Sequence, residues 1–274
     1  MSDRLGRLWV VATPLGNLDD LSPRAVEVLG RVPIIAVEDT RHSAPVLARA
    51  GAHARLVALH DHNEREQVAP LLERLAAGDE IALIADAGTP LISDPGFRLV
   101  RAARDAGFAV SPVPGPCAAI AALSVAGLPS DRFVFEGFLP ARSAARRERL
   151  RALVSDRRTL IFYESSHRVV ASLGDMVSVF GAERRAVLAR EMTKLFETVR
   201  AATLAELGEF VASDSNQRRG EFVLLVAGAE GNADGAAVVE GQRIFALLRE
   251  ELPPAQAAKL ASAITGAPRK TLYR

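Results

Sequence analysis

Residues 81–96 read IALIADAGTPLISDPG. The first five, Ile81-Ala82-Leu83-Ile84-Ala85, form a short unbroken apolar run, the pattern of a buried strand. The character then changes at once: Asp86, Gly88, Thr89, Pro90, Ser93, Asp94, Pro95 and Gly96 crowd into the next eleven positions. Such a loop offers backbone N–H and C=O groups to a ligand. In open α/β sheets, ligands bind just past the carboxyl ends of the strands. The second half also fits an ordinary strand-to-helix turn, with Asp94 as N-cap and Pro95 at the first helical position.

The same grammar recurs outward from this stretch. A strand over 8–12 runs into TPLGNL (13–18), and Ser22 then caps a helix that has Pro23 in its first position. A strand over 34–37 ends in EDTRH (38–42), and one over 55–59 ends in HDHNE (60–64) before a helix to about residue 77. After a helix over 95–106, a strand over 108–113 ends in PGPC (114–117) and leads into the small-residue helix AAIAALSVAGL. Five strand–loop–helix units predict an α/β domain with a largely parallel sheet over residues 1–128. A polar cluster falls at every strand end, which points to one shared site.

The pattern restarts after Pro129. Strands are expected over 133–136, 158–163, 185–189, 196–201 and 221–227, with helices over 143–154 and to about 180. Thr203 and Glu206 form a capping box for a third helix. This is a second, smaller α/β domain over 129–228. GAEGNADGAA (228–237) reads as flexible by composition, so a linker is drawn over 229–238. The tail, 239–274, holds helices over 241–250 and 254–264, a tight turn, and a third helix from Arg269 to Arg274. A helix-turn-helix and a plain helical hairpin both fit it.

Composition bounds the function. At 274 residues and 49% hydrophobic content the chain is long and apolar enough for two cores. The lone Cys117 excludes a disulfide framework and a cysteine-based zinc site within one chain. No signal core and no membrane-length apolar run is present, so a soluble cytoplasmic protein with no membrane association is expected. Among 31 Arg stand only three lysines, and Lys194 is alone in the first 258 residues. A lysine kept in such a background is either a leftover surface residue or one whose job arginine cannot do, such as losing a proton when desolvated.

Several chemistries are excluded by their missing motifs. There is no GxGxxG after the first strand and no GxxxxGK[ST]. His60 and His62 lie two apart at a strand end, so no metal is expected. Ser165 and Ser166 near His167 lack a nucleophile elbow, and Ser166 reads more economically as a helix N-cap. What remains is a pocket of loops: TPLGNL, EDTRH, DAGTP, PGPCAA, YESSH and REMTK. Glu38, Asp39, Asp86 and Glu191 would suit a cationic ligand, although each alone also fits a cap or a salt bridge. The Ala-rich helix after Pro116 would let a bulky ligand approach closely.

Eight motifs in order, TPLGNL, VEDTRHS, LHDHNE, DAGTPLISDPG, PGPCAAIAALSVAGLPSDRF, EGFLP, IFYESSHR and ARE-x-TK, resemble the tetrapyrrole methylase superfamily, and within it the branch that acts on ribosomal RNA. The resemblance runs from about Leu8 to Ala227. It implies two α/β domains, S-adenosylmethionine in the cleft between them, and a homodimer. The branch it resembles methylates the ribose 2′-OH of a cytidine (1402) in the decoding region of 16S rRNA, with the small ribosomal subunit as partner. Methylation of a tetrapyrrole is the alternative.

The resemblance also implies residue roles. Pro14, Leu15 and Gly16 of the first loop should line the cofactor, with Asp86, Ala87, Gly88, Thr89, Pro90 and Ile92 opposite. The family's Gly-Asp-Pro reads Gly88-Thr89-Pro90 here, with the acid displaced to Asp86. Cys117 and Ala118 occupy a loop where the family carries a small hydroxyl, and Ala189 is a contact from the second domain. Lys194 is the preferred catalytic residue, as a cation that could stabilise the developing alkoxide, with Asp39 as its acidic counterpart and Glu38 and Glu191 as further candidate bases. RNA contacts are expected from Arg41, His42, Arg142, Arg146, Arg147, Arg218, Arg219 and the tail.

Overall fold

The structure, a computed structural model, describes residues 5–229 and 233–272, with the side chains of 233–237 left out. Residues 230–232 of the expected linker, and Arg274 of the tail, lie outside the described residues. The first domain alternates β1 (Arg7–Val11), α1 (Pro23–Arg31), β2 (Ile34–Val37), α2 (Thr40–Arg49), β3 (Arg55–Ala58), α3 (Glu64–Ala76), β4 (Ile81–Leu83), α4 (Phe97–Asp105), β5 (Ala109–Val113) and α5 (Ala118–Val125). All five strands are parallel in the order β3-β2-β4-β1-β5. The 81–85 run is therefore central, between β1 and β2, which is why it is apolar on both faces. Trp9, Val11, Ile35, Val37 and Ala82 pack on one side of the sheet, and Leu8, Ile34, Ala36, Ile81 and Leu83 on the other. Each large aliphatic side chain so buried contributes roughly 1.5–3 kcal/mol.

The second domain has β6 (Phe133–Phe138), α6 (Ser143–Leu153), β7 (Thr159–Ser165), α7 (Val169–Phe180), β8 (Arg185–Arg190), β9 (Thr198–Thr203), α8 (Leu204–Ser213) and β10 (Glu221–Val226). Its sheet runs β6-β7-β10-β8-β9; only the β6–β7 pair is parallel. The helices α6, α7 and α8 cover one face. The other face is covered by α5 of the first domain, whose Ala119, Ala122 and Leu123 pack on Ile161, Val187, Ala189, Val223 and Leu225. The small side chains of α5 thus admit the second sheet, and not chiefly a ligand. Tyr163 seals the seam, its hydroxyl accepting from the Ala119 N–H at 3.0 Å.

Local capping follows the sequence in two places. Ser22 Oγ accepts from Ala25 N, and Thr203 and Glu206 exchange both bonds of the capping box. It departs in two others. Helix α4 starts at Phe97, behind a left-handed Gly96 (φ 119°), so Asp94 is not its N-cap. The free N–H groups of Arg98 and Leu99 donate instead to Glu64 Oε1 at 2.7 and 3.3 Å, from the first turn of α3. Likewise α7 starts at Val169 behind Arg168, and Ser166 caps nothing.

The tail has α9 (Ala233–Leu248), α10 (Pro254–Thr265) and a single 3₁₀ turn, Arg269–Thr271, where a third helix was expected. Helix α9 already runs through residues that read as linker. Phe245, Ala257, Ala258, Ala261, Ala267 and Leu272 form a separate small core. Among the described residues no helix is long and apolar enough to cross a membrane.

Candidate active site

Four loops of the first domain are stitched together by their own backbone. Thr13 and Gly88 pair, N to O at 2.8 Å and 3.1 Å, joining TPLGNL to DAGTP. Thr89 Oγ1 donates to the Pro116 carbonyl at 2.8 Å, adding the loop after β5. The Asp86 carboxylate accepts from Asp39 N at 3.0 Å and lies 2.9 Å from His42 Nδ1, adding the loop after β2. Gly88 is left-handed (φ 81°), and a β-carbon there would press on Leu15 at 3.1 Å. Asp86 therefore acts as the splice between two loops, a job its displacement from the family's Gly-Asp-Pro position allows.

Together with the second domain these loops enclose a cavity of about 490 Å³. Its first-domain wall is Leu15, Glu38, Asp86, Ala87, Gly88, Thr89, Ile92, Ser93, Asp94, Cys117 and Ala118. Its second-domain wall comes from Phe138 and from neighbouring rungs of β7 and β10, Tyr163 opposite Val223, Glu164 opposite Phe222 and Ser165 opposite Glu221, with Ser166, Met192 and Gly220. A depression of similar volume lies along Phe97, Arg98, Arg101, Ala102 and Asp105. It runs over the surface of one helix and brings no loops together.

Two facing loops hold unusual backbone. Leu91 (φ 72°) and Ser93 (φ 71°) are left-handed on one side, and Glu191 (φ 52°) and Thr193 (φ 65°) on the other. Non-glycine residues in this region are strained, and such strain clusters at functional sites. The Leu91 and Ser93 pair explains why the run after Pro90 does not enter a helix at Asp94. It turns that carboxylate into the cavity.

Asp94 is the charged residue of the first-domain wall that the sequence presents only as a helix cap. Its carboxylate has no hydrogen-bond or ion-pair partner among the described residues. Burial, with Glu38, Asp86 and Asp61 nearby, pushes its pKa up to about 7. Burial and the Asp86 carboxylate also raise the Glu38 pKa. A cation entering here would relieve both groups. Among the described residues no group of His, Cys, Asp and Glu is arranged to hold a metal ion.

Of the expected cofactor residues, Leu15, Asp86, Ala87, Gly88, Thr89, Ile92, Cys117 and Ala118 do line the cavity. Pro14 and Pro90 belong to the same loops but are buried behind its surface, Gly16 is exposed beside it under the stem of Lys194, and Ala189 is wholly buried in the α5 seam. Of the four catalytic candidates only Glu38 reaches the cavity wall. Asp39 is the N-cap of α2, accepting from Arg41 N at 2.7 Å, and this bond lowers its pKa. Glu191 Oε1 is taken by Lys194 Nζ and Glu221 N, both at 3.0 Å. Burial pulls the Lys194 pKa down, but bonds to Glu221 and Glu191 outweigh it and raise the value, so Lys194 stays charged and is no base.

The arginine set divides. Arg146 is buried, its guanidinium 2.7 Å from the buried Asp175 and donating to the carbonyls of Pro140 and Ala141. It is a core tie between α6 and α7 and cannot reach RNA. Arg218 closes the end of α8 on the carbonyls of Val211 and Ala212. Arg147 also donates to Asp175 but is 46% exposed. Arg41, Arg142 and Arg219 are exposed, and exposed His42 is held by Asp86, whose hydrogen bond raises its pKa.

Two mixed layers, a cleft of strand-end loops and a helical appendage define a methylase architecture. The family model described as Tetrapyrrole (Corrin/Porphyrin) Methylases matches residues 7–208, and the chain belongs to that family. The model described as RsmI C-terminal HTH domain matches residues 235–274. The chain is 60% identical over 268 residues to the Ribosomal RNA small subunit methyltransferase I of Xylella fastidiosa (strain Temecula1), covering 98% of each. It is 58% identical to the protein of that name from Pseudomonas aeruginosa, covering 98% of this chain and 96% of that one. The fold is shared with a Thermus thermophilus uroporphyrin-III C-methyltransferase solved with S-adenosylhomocysteine (TM-score 0.56, 20% identity, 80% of this chain and 97% of that one).

Proposed function

We propose that the cavity binds S-adenosylmethionine and that the chain methylates the ribose 2′-hydroxyl of cytidine 1402 in 16S rRNA within the small ribosomal subunit. The observation that carries the cofactor reading is Asp94: an unpartnered, half-buried carboxylate among other acids fits a ligand bearing a sulfonium and an ammonium. Apolar Leu15, Ile92, Met192 and Val223 fit the rest of such a molecule. The names of the similar proteins support the rRNA reading.

When bound, the cofactor supplies an electrophilic methyl group. The protein's own part is alignment and proton removal. The stitched loops hold the reactants in line, and such positioning can supply several kcal/mol of a barrier, up to roughly 7–11. Glu38 is the base we propose, because burial and Asp86 raise its basicity and its carboxylate faces the cavity. Lys194 contributes positive charge at the rim through its Glu221 pair, not proton abstraction.

Arg41, His42, Arg142, Arg147 and Arg219, with Lys259, Arg269 and Lys270 of the tail, are the proposed phosphate contacts. Adjacent Leu195 (90% exposed) and Phe196 (68%) support a homodimer that covers them. A cytoplasmic location completes the reading. The test is incubation with methyl-labelled S-adenosylmethionine and, separately, small subunits, free rRNA and a tetrapyrrole. Label in small-subunit rRNA is expected; label in the tetrapyrrole alone would overturn the proposal.

A further inference from the structure

Of the large apolar side chains that the described fold leaves exposed, only Phe138 also lines the cavity; its residue is 54% exposed. The fold goes out of its way to put it there. In a regular strand, Phe135 and Phe138, three residues apart, would point to opposite faces. The β6–β7 register slips between Phe135 and Gly137, and Gly137 is left-handed (φ 63°). This bulge turns both rings toward one side, where each meets Tyr163 edge-on, at centroid distances of 4.9 and 5.7 Å. Glycine suits the turn, since any other residue there would be strained and a β-carbon at 137 would lie 2.9 Å from Ser93 Oγ of the opposite loop. Glu136, on the other side of the bulge, is anchored bidentately by Arg149 at 2.7 and 2.9 Å.

The ring is thus fixed by a conformationally costly device, yet its face is left uncovered. Burial of the ring is not what the bulge achieves, because Phe135 and Tyr163 already fill the seam. An aromatic face held open at the edge of a site that also carries several carboxylates fits a flat, π-bearing ligand. The deeper wall offers Met192, Phe222 and Val223 to a cofactor, whereas Phe138 stands at the open side. We propose that Phe138 is the stacking platform for the base of the nucleotide whose ribose is methylated, so that the base leaves its own stack and lies on this ring. The proposal rests on the rRNA-methylation reading. Its chemistry is general: proteins that bind single-stranded RNA splay its bases out and stack them on aromatic side chains, and such stacking is tolerant of sequence.

The test uses the full chain and three variants, Phe138→Ala, Phe138→Leu and Phe138→Trp, with unmethylated small subunits as substrate. Stacking of one base is worth roughly tenfold to a hundredfold in affinity. Phe138→Ala and Phe138→Leu should raise KM for the subunit by that factor while leaving the calorimetric affinity for S-adenosylhomocysteine unchanged; Phe138→Trp should restore it. The chain has one other tryptophan, the buried Trp9, so quenching of the new indole on adding subunits, with S-adenosylhomocysteine present, reads the stack without turnover. Unchanged KM in Phe138→Leu, or no quenching in Phe138→Trp, overturns the proposal. So does a loss of S-adenosylhomocysteine affinity with KM unchanged, which assigns the ring to the cofactor's adenine. Failure of the wild-type chain to label any rRNA would instead overturn the reading beneath it.

Discussion

The carbon chain of Lys194 lies directly over the α-carbon of Gly16, so close that a β-carbon on Gly16 would overlap its Cγ. This contact joins the REMTK loop of the second domain to the TPLGNL loop of the first. Its head group is meanwhile tied to Glu191 and Glu221 at 3.0 Å each. Lys194 is therefore a strap across the cleft mouth. Its compact head and thin stem, where a planar guanidinium would need more room, account for its survival in an arginine-rich chain.

Gly16→Ala tests the strap. The backbone there is not left-handed, and the atoms nearest the added methyl all belong to the lysine stem. We expect a folded protein with an unchanged Tm whose methyl transfer falls by about a hundredfold, the scale of a reacting group misplaced by an ångström. Turnover at the wild-type rate would show that the Lys194 stem does not hold the cleft mouth for catalysis.

Asp94→Asn separates binding from stability. Its folded pKa is raised from 3.8 to about 7, so the ionised form is disfavoured in the unliganded protein. The resulting stability loss sets in as pH rises through 3.8 and is complete above about 7. Asp94→Asn should therefore raise the Tm of the unliganded protein, by a margin that grows over that window and is constant above it. Scanning calorimetry at pH 5 and pH 8 measures this.

The same residue sets a pH dependence of binding. Cation binding requires the ionised carboxylate, so affinity for S-adenosylmethionine should fall as pH drops below about 7. The slope should approach about tenfold per pH unit. In Asp94→Asn the affinity should be weak and flat with pH. Isothermal titration between pH 6 and 8 checks both.

Arg146→Ala is expected to cost about 3–5 kcal/mol, because it strands the buried Asp175 with a reduced set of donors. Arg142→Ala, at an exposed position, should leave Tm unchanged and weaken RNA binding with a shallower salt dependence. Chemical denaturation and salt-dependent binding distinguish the two arginines, which read alike in the sequence.

That pair marks where sequence reading ended. The strands, the order of loops and their convergence were legible because each strand is an apolar run and each end is punctuated by Gly, Pro and short acids. Asp94 was not. Asp-Pro-Gly after a loop fits a helix cap equally well, and what decides is Glu64, thirty residues earlier, which takes the α4 N–H groups itself. Arg146 was hidden for a similar reason: its partner Asp175 lies on another helix, 29 positions away. Asp39 was overrated because a cap and a base have the same side chain. The α5 alanines gave a pattern without a partner; only the second sheet explains them.

Transfer to a ribose oxygen leaves a mark that alkali reads directly. Small-subunit rRNA labelled by the wild-type protein and methyl-labelled S-adenosylmethionine is hydrolysed with alkali, which cleaves next to every free 2′-hydroxyl. The label should survive in one dinucleotide carrying 2′-O-methylcytidine, and Glu38→Gln should lower its yield by about a hundredfold or more. Label recovered in mononucleotides, on a base, or undiminished in Glu38→Gln would contradict ribose transfer with Glu38 as the base.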